Sequence, residues 1–443
     1  MRDLNRVTSV TTPHPAASRA RIRAERLALA AVALGALAVR LAWIFSVRFA
    51  PTLQDDAGRY DLLGRSLAHA AGYVNPNGNT TLFWPPGYPF VLTAVYRFTG
   101  DSVRSALVLN AALDTLTVLL VYALARRVSG VRASLAAAAI YAVLPSAVLF
   151  TNITLTETTA TCLLTLALWL FLAAGERVRP WPMLVAAGLV VGFGALVRGQ
   201  LLLLPLVAVP AWAVADGWRQ ALARGAMAGV VALAVITPWT VRNYLESDAV
   251  VPIATNSGVD FYIGHSAGAD GRGRIVDELV FRYPDLPPAE AEARISRDGF
   301  REGLKYAARH PADEAKLTAR KVFFLWYADD EAVQWTDAHA ALHVMDRSLR
   351  HALLIMSNAY YRVLLAVAAL GVVLSIVQIR HVPSRARATF VLLLSTLIYW
   401  TAVHIVFFAD PRFHAPVMPA MCALVAVALG RVMRQPIPSV TST

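Results

Sequence analysis

Long runs of apolar residues are the feature that most constrains the fold of this chain. Two of them, LALAAVALGALAVRLAWIFSV and LLIMSNAYYRVLLAVAALGVVLSIVQI, are each long enough to cross a hydrocarbon core, which takes about 20 residues of helix. Charged residues make up 16% of the 443 residues, whereas soluble proteins carry about 25%. With a mean hydropathy of +0.52, the chain is predicted to be an all-α polytopic membrane protein.

The connecting loops predict the orientation of about ten membrane spans. The loops RRVSGVR, GERVRP, DGWRQALAR and QIRHVPSRARA all carry arginine, so the positive-inside rule places them and both termini in the cytoplasm. The stretch PPGYPFVLTAVYRFTG is too short for a span and would reverse this pattern, so we expect an interfacial helix. The predicted spans are 27–47, 103–126, 131–150, 157–174, 182–198, 200–215, 222–240, 351–378, 388–408 and 413–431.

This topology divides the chain into a transmembrane region, an outer module and basic tails. The outer module is predicted to be mainly helical, with Pro311 separating two of its helices. Its second helix ends in KVFFLWY, a pattern typical of a helix on the bilayer surface. The predicted boundaries are 1–26 for the N-terminal cytoplasmic tail, 27–240 for the first transmembrane region with its first outer loop at 48–102, 241–350 for the outer module, 351–432 for the last spans and 433–443 for the C-terminal tail.

Several classes of function are disfavoured by the sequence. The net charge of +12 comes from arginines grouped in short loops, which indicates membrane topology rather than nucleic-acid binding. Cys162 and Cys422 both lie in apolar segments, so neither a disulfide framework nor a zinc site is indicated. No HExxH or CxxC occurs, and GHSAGADGRGR lacks the Gly-Lys-Ser/Thr ending of a phosphate loop. We expect no metal and no cofactor, and we interpret that loop as a flexible lid.

Two adjacent carboxylates, Asp55 and Asp56, follow the first predicted span and begin a short amphipathic helix. One interpretation is structural, because an aspartate at a helix N-terminus caps it and stabilises it by about 1 kcal/mol. The other is chemical, because a positioned aspartate can act as a general base. The residues alone leave both open.

Further charges are predicted on the same outer face. Glu157 lies in a Thr154-x-x-Glu157 pattern, which is typical of a capping box, yet it could also share a cavity with the aspartate pair. Arginines at the ends of outer-facing helices usually extend to the interface, although an anionic head group would also suit them. These arginines are Arg198, Arg242 and Arg412. Arg40, inside the first span, must face protein or water, where it could pair with an acidic group in the bundle.

The order of motifs resembles the GT-C integral-membrane glycosyltransferases, especially the bacterial protein O-mannosyltransferase-like branch that includes the aminoarabinose transferases of lipid A. The motifs are QDDAGRY, PPGYP, LTET, TPWTVRNY, ARHPADEAKLTARKVFFLW and DPRFHAPVMP. The likeness covers roughly residues 27–432 and rests on the order and sidedness of the motifs together. It implies the GT-C fold and an active site outside the plasma membrane.

The resemblance also implies a reaction and its residues. The family transfers a sugar from a polyprenyl-phosphate donor with inversion, here to a lipid, glycan or protein acceptor. Its catalytic carboxylate corresponds to Asp55, with Asp56 second, and we expect Asp56 to cap the helix and leave Asp55 as the base. Glu157 and Arg412 match its substrate-binding positions, the second facing the lipid phosphate. Tyr60, Trp84 and Tyr262 are candidates to line the cavity.

Two alternatives remain. A transporter or flippase of lipid-linked glycans would suit ten spans, and would be favoured by broken spans and midplane charges. An O-antigen ligase or polymerase also has a large outer loop, but it is expected to act mainly through Arg and His in later loops. The acidic pair in the first outer loop argues against that second alternative.

Overall fold

The computed structural model describes residues 15–53, 55–339 and 345–437, and in these ranges every regular element is a helix. The first half contains α1 (Pro15–Ser46), α2 (Asp56–Ala68), α3 (Gly87–Thr99), α4 (Val103–Ala125), α5 (Val131–Ala142), α6 (Pro145–Phe150), α7 (Thr156–Gly175), α8 (Trp181–Val197), α9 (Leu204–Asp216) and α10 (Trp218–Ser247). The second half contains α11 (Asn256–Gly264), α12 (Asp277–Val280), α13 (Pro288–Arg309), α14 (Pro311–Trp326), α15 (Glu331–His339), α16 (Arg347–Gln378), α17 (Ser384–Val406) and α18 (Met418–Val432). Turns of 3₁₀ helix occupy Gly199–Leu203 and Pro411–Val417.

The prediction of an all-α membrane fold is confirmed, but the count of ten spans is not. Eight described helical segments are long and apolar enough to cross a membrane, and two of them include the 3₁₀ turn that precedes α9 or α18. The predicted span 131–150 is divided into α5 and α6, and the span 182–198 corresponds to the 17-residue α8. Helix α1 begins at Pro15, within the predicted cytoplasmic tail. Residues 1–14 of that tail and 438–443 of the C-terminal tail lie outside the described residues.

A buried ion pair holds the broken span in place. Pro145 begins α6 and has no N–H to continue the hydrogen-bond ladder of α5. Arg40 from α1 instead donates to Ala142 O at 2.8 Å, and its Nη2 lies 2.5 Å from Asp114 Oδ2 of α4. Tyr141 donates to the other Asp114 oxygen at 2.6 Å. The prediction that Arg40 has an acidic partner in the bundle is confirmed.

The first outer loop is built from two short helices that pack against each other. Helices α2 and α3 have 13 residues each, too few for a span. The ring of Tyr60 meets that of Tyr88 edge to face, with centroids 5.7 Å apart. Such aromatic pairs stabilise packing by about 1 kcal/mol beyond their buried area. The two helices therefore form one rigid layer at this end of the bundle.

The outer module is anchored to that layer. Glu292 of α13 accepts hydrogen bonds from Thr81 Oγ1 at 2.8 Å and from the backbone N–H of Leu82 at 2.6 Å. Thr255 N–H donates to Leu82 O at 2.9 Å. The module is helical, and α13 and α14 are separate helices that meet before Pro311, as predicted.

Candidate active site

Four charged side chains from different helices meet at one end of the bundle. Arg412 Nη2 lies 3.0 Å from Asp56 Oδ2, and its Nη1 lies 4.0 Å from Glu157 Oε1. Arg198, which follows α8, places Nη2 2.5 Å from the same Glu157 oxygen. We call Asp56, Glu157, Arg198 and Arg412 the charged cluster. All four stand at helix starts or ends that the sequence predicts on one face.

The two adjacent aspartates have different structural roles, and the predicted assignment of the cap is wrong. Asp55, not Asp56, is the N-cap of α2: its Oδ1 accepts from Ala57 N at 3.0 Å and from Gly58 N at 3.2 Å. Its Oδ2 accepts from Thr52 Oγ1 at 2.7 Å. Asp56 stands in the first turn of the helix, where its side chain points into the cluster instead. Both positions favour aspartate, so the local sequence does not separate them.

Glu157 does not form the predicted capping box. The N-cap of α7 is Leu155, without a side-chain hydrogen bond, and Thr154 donates to Ala57 O at 3.1 Å. Glu157 is 1% exposed and turns towards Arg198. Its Oε2 has no hydrogen-bond partner among the described residues. Because a buried carboxylate oxygen without a partner is costly, this atom is available to a further hydrogen-bond donor.

Aromatic rings fix the orientation of the two guanidinium groups. Arg412 lies over the rings of Trp335 and Phe413, at 5.0 and 5.2 Å from their centroids, and Arg198 lies 5.4 Å from Phe413. Such contacts add about 1–2 kcal/mol where water is excluded. They hold both groups before any substrate binds.

Of the aromatic residues named from the sequence, Tyr60 is near the cluster and Trp84 packs against Tyr60. Their rings pack edge to face, with centroids 5.5 Å apart. Burial raises the pKa of Tyr60, and the negative charge of Asp56 raises that pKa further. The phenol is therefore within electrostatic range of Asp56.

Arg242 and Tyr262, which were also predicted to bind substrate, make their contacts elsewhere. Arg242 donates to Thr81 O at 3.0 Å and lies 4.8 Å from the ring of Trp239. Tyr262 lies below Arg274, 5.9 Å from it, and packs in the apolar core of the outer module. Arg242 was chosen from sidedness and Tyr262 from the resemblance, and neither determines the direction of a side chain. In the structure they support the outer loops.

The outer module adds acidic residues that sequence analysis missed. Burial raises the pKa of Asp260 to about 7, and nearby Asp56 contributes to the shift. Burial also raises the pKa of Glu331 to about 7, assisted by Asp410. Asp410 accepts from Arg412 N–H at 3.0 Å, and burial raises its pKa too. No motif surrounds these residues except DPRF, which contains Asp410.

Comparison with known proteins agrees with this fold. The oligosaccharyltransferase AglB from Archaeoglobus fulgidus superposes with a TM-score of 0.56 and 15% identity, covering 93% of this chain and 50% of that one. Residues 84–241 match the family described as dolichyl-phosphate-mannose-protein mannosyltransferase. The chain is therefore a multi-pass membrane protein with the GT-C fold, as the order of its motifs predicts.

Curated relatives match part of the chain. The undecaprenyl phosphate-alpha-4-amino-4-deoxy-L-arabinose arabinosyl transferase of Pseudomonas paraeruginosa is 33% identical over 196 residues. The protein of the same name from Pseudomonas aeruginosa is also 33% identical over 196 residues. The matched segment is 42% of this chain and 35% of each relative, so the chain spans about a third of their length.

Proposed function

We propose that this protein transfers a sugar from a polyprenyl-phosphate donor to a hydroxyl or phosphate of a lipid, glycan or protein on the extracytoplasmic face of the plasma membrane. The observation that carries the proposal is the charged cluster, in which carboxylates and guanidinium groups meet at the ends of membrane helices. The named activity of the curated relatives, with an undecaprenyl phosphate sugar donor, supports the donor class. The acceptor belongs to the proposal alone.

Arg412 and Arg198 are the groups suited to the donor phosphate. A guanidinium presents five donors in a planar fork, so Arg412 can contact a phosphate oxygen while it keeps Asp56. The leaving group is a phosphate already bonded to the anomeric carbon, and positive charge beside it stabilises the transition state. The polyprenyl tail of the donor would remain in the bilayer next to the helix ends.

The aspartate pair supplies the base in this proposal. The acceptor hydroxyl loses its proton as it attacks the anomeric carbon, and a carboxylate within hydrogen-bond reach accepts that proton. The resemblance assigns this role to Asp55. Its hydrogen bonds from Ala57 N, Gly58 N and Thr52 fix the orientation of the carboxylate. Asp56 would then orient Arg412.

Substitution of the two aspartates by asparagine tests the assignment. Asn is as good an N-cap as Asp, so Asp55→Asn keeps the start of α2 and removes only the basic carboxylate. We expect this variant to lose transfer activity at least about 100-fold with an unchanged unfolding temperature. Activity would be measured as loss of the sugar from lipid-linked donor in membranes of expressing cells, with mass profiles of the cell envelope identifying the product.

Asp56→Asn provides the contrast. It weakens the pair with Arg412, so we expect reduced donor affinity with transfer still detectable at high donor concentration. An inactive Asp56→Asn protein beside an active Asp55→Asn protein would assign the base to Asp56. Envelope profiles that are identical with and without the wild-type protein, together with no donor turnover, would refute the proposed function.

A transporter of lipid-linked glycans is less well supported. The broken span α5–α6 and the buried Arg40–Asp114 pair are features that could suit transport. However, Tyr141 and Ala142 O complete the hydrogen bonds of that pair, which makes it a structural contact between helices. Movement of intact lipid-linked glycan without sugar transfer in proteoliposomes would favour this alternative.

A further inference from the structure

The chain between α17 and Arg412 is held by the outer module rather than by the bundle alone. We call residues 405–409 the link, because they lead from the end of α17 to Asp410 and Arg412. The last carbonyls of a helix have no partner within it. Here Lys321 Nζ of α14 donates to Ile405 O at 3.0 Å, and His265 Nε2 lies 2.7 Å from Val406 O.

His265 is itself fixed by an acidic partner. Its Nδ1 lies 2.7 Å from Glu314 Oε2, so each ring nitrogen faces an oxygen that can only accept. Lys321 Nζ is only 3.1 Å from Nε2, and burial lowers the pKa of Lys321 to about 8. The ammonium group of Lys321 also suits the negative end of the α17 dipole.

The backbone of the link is in contact with the same module. A Cβ atom added to Gly264 would lie 1.9 Å from Phe407 O, so only glycine permits this approach. Ala409 N–H donates to Gly271 O at 2.9 Å. Contacts at Ile405, Val406, Phe407 and Ala409 therefore all come from residues 264–321. The following residues, 410–412, enter the charged cluster.

We propose that Gly264, His265, Gly271, Glu314 and Lys321 form a clamp that positions Arg412 for the phosphate of the donor. This inference rests on the proposed function, because it assigns Arg412 to a lipid phosphate. Lys321 and His265 act as positioning residues: they touch the link and set where the guanidinium lies. Only two residues separate Ala409 from Arg412, so a displaced link displaces Arg412 from Asp56 and from the ring of Trp335.

Two substitutions open the clamp without touching the cluster. Lys321→Met keeps an unbranched side chain of similar length and removes the donor to Ile405 O. Gly264→Ala adds a methyl group that meets Phe407 O, whereas Gly229→Ala adds the same group where no atom lies within 4 Å. Gly229→Ala is therefore the matched control.

Both measurements use the 443-residue protein in lipid nanodiscs. The first is amide hydrogen exchange of residues 405–413, which we expect to accelerate in Lys321→Met and Gly264→Ala and to stay unchanged in Gly229→Ala. The second is affinity for undecaprenyl phosphate, which we expect to fall about tenfold or more in the two clamp variants, as for one lost charge-assisted contact. Unchanged exchange in the link, or unchanged affinity, would overturn the clamp.

A double-mutant cycle separates positioning from general destabilisation. In an Arg412→Gln background the guanidinium is already absent, so Lys321→Met should cause little further loss of affinity. Equal losses in both backgrounds would show that Lys321 acts through overall stability and would reject the inference. A wild-type protein that does not bind undecaprenyl phosphate would instead refute the proposed function, while the exchange data would still report on the clamp.

Discussion

Asp260 and Glu331 bring two carboxylates with unusual ionisation to the charged cluster. Each comes from the outer module, and for each the pKa is raised to about 7, first by burial and then by a neighbouring carboxylate. At neutral pH they are therefore partly protonated, unlike an ordinary Asp or Glu. A donor phosphate adds one more negative charge beside them, so donor binding should favour their protonated forms.

This linkage predicts a pH dependence of donor affinity. Below pH 7 Asp260 is protonated and repels no anion, and above pH 7 it is ionised, so affinity for undecaprenyl phosphate should weaken as pH rises from 6 to 8. The limit for one linked proton is about tenfold per pH unit. Titration calorimetry measures this affinity at each pH for the wild type and for Asp260→Asn. The titration of the ligand's own phosphate is the same in both experiments, so it does not affect the comparison.

Asp260→Asn should flatten the pH profile relative to wild type. The control is Asp270→Asn, in the outer module but 46% exposed and paired with Arg272, which should leave the profile unchanged. Parallel profiles for Asp260→Asn and wild type would show that Asp260 does not titrate with donor binding.

For individual residues, the sequence indicated which charges were unusual but not how they interact. Asp56, Glu157, Arg198 and Arg412 were all named from sidedness, and the structure brings them together. The cap was assigned to the wrong aspartate because both the N-cap and the first helical turn favour a carboxylate. Asp260 was missed because its environment depends on α11 packing near Asp56, a tertiary contact.

Among the elements, the junction of α1, α4 and α5 depends most on a single contact. Arg40 and Asp114 are 0% and 1% exposed, and 74 positions separate them. The break at Pro145 was not predicted, because the apolar run at residues 131–150 predicts one span. The sequence indicated that Arg40 could pair with an acidic group in the bundle. It could not identify Asp114, because nothing local relates two residues so far apart.

Removal of one partner from this pair should destabilise the fold strongly. Arg40→Met leaves Asp114 buried and unpaired, which costs about 3–5 kcal/mol. The double variant Arg40→Met/Asp114→Leu removes both charges and should recover a large part of that loss. Unfolding of the purified protein in detergent measures the free energies.

The exposed pair Arg294–Glu290 of α13 is the control, with side chains 44% and 35% exposed. Arg294→Met should change the free energy of unfolding by less than about 1 kcal/mol. If Arg40→Met were as mild as Arg294→Met, the buried pair would have no structural importance. The double variant must also be more stable than Arg40→Met alone for this explanation to hold.

In the whole molecule, the charged cluster brings together residues from segments that lie far apart in the sequence. Glu157 and Arg198 lie inside the matched segment 84–241, whereas Asp56 and Arg412 lie outside it. The outer module adds Asp260 and Glu331 and holds the link before Arg412. The helix pattern and sidedness were readable from apolar runs and arginines, but the cluster exists only after the two ends of the chain pack together.

The arrangement also predicts which side of the membrane each end of the bundle faces. Arginine-rich loops lie at the end opposite the charged cluster, so the cluster should face outwards. Asn77, exposed in the first outer loop, and Val178, 101% exposed between α7 and α8, lie at opposite ends. Cys162 and Cys422 are buried and should give little background labelling. A membrane-impermeant maleimide should therefore label Asn77→Cys in intact spheroplasts, and Val178→Cys only after permeabilisation. The reverse labelling pattern would place the cluster in the cytoplasm and exclude the proposed extracytoplasmic transfer.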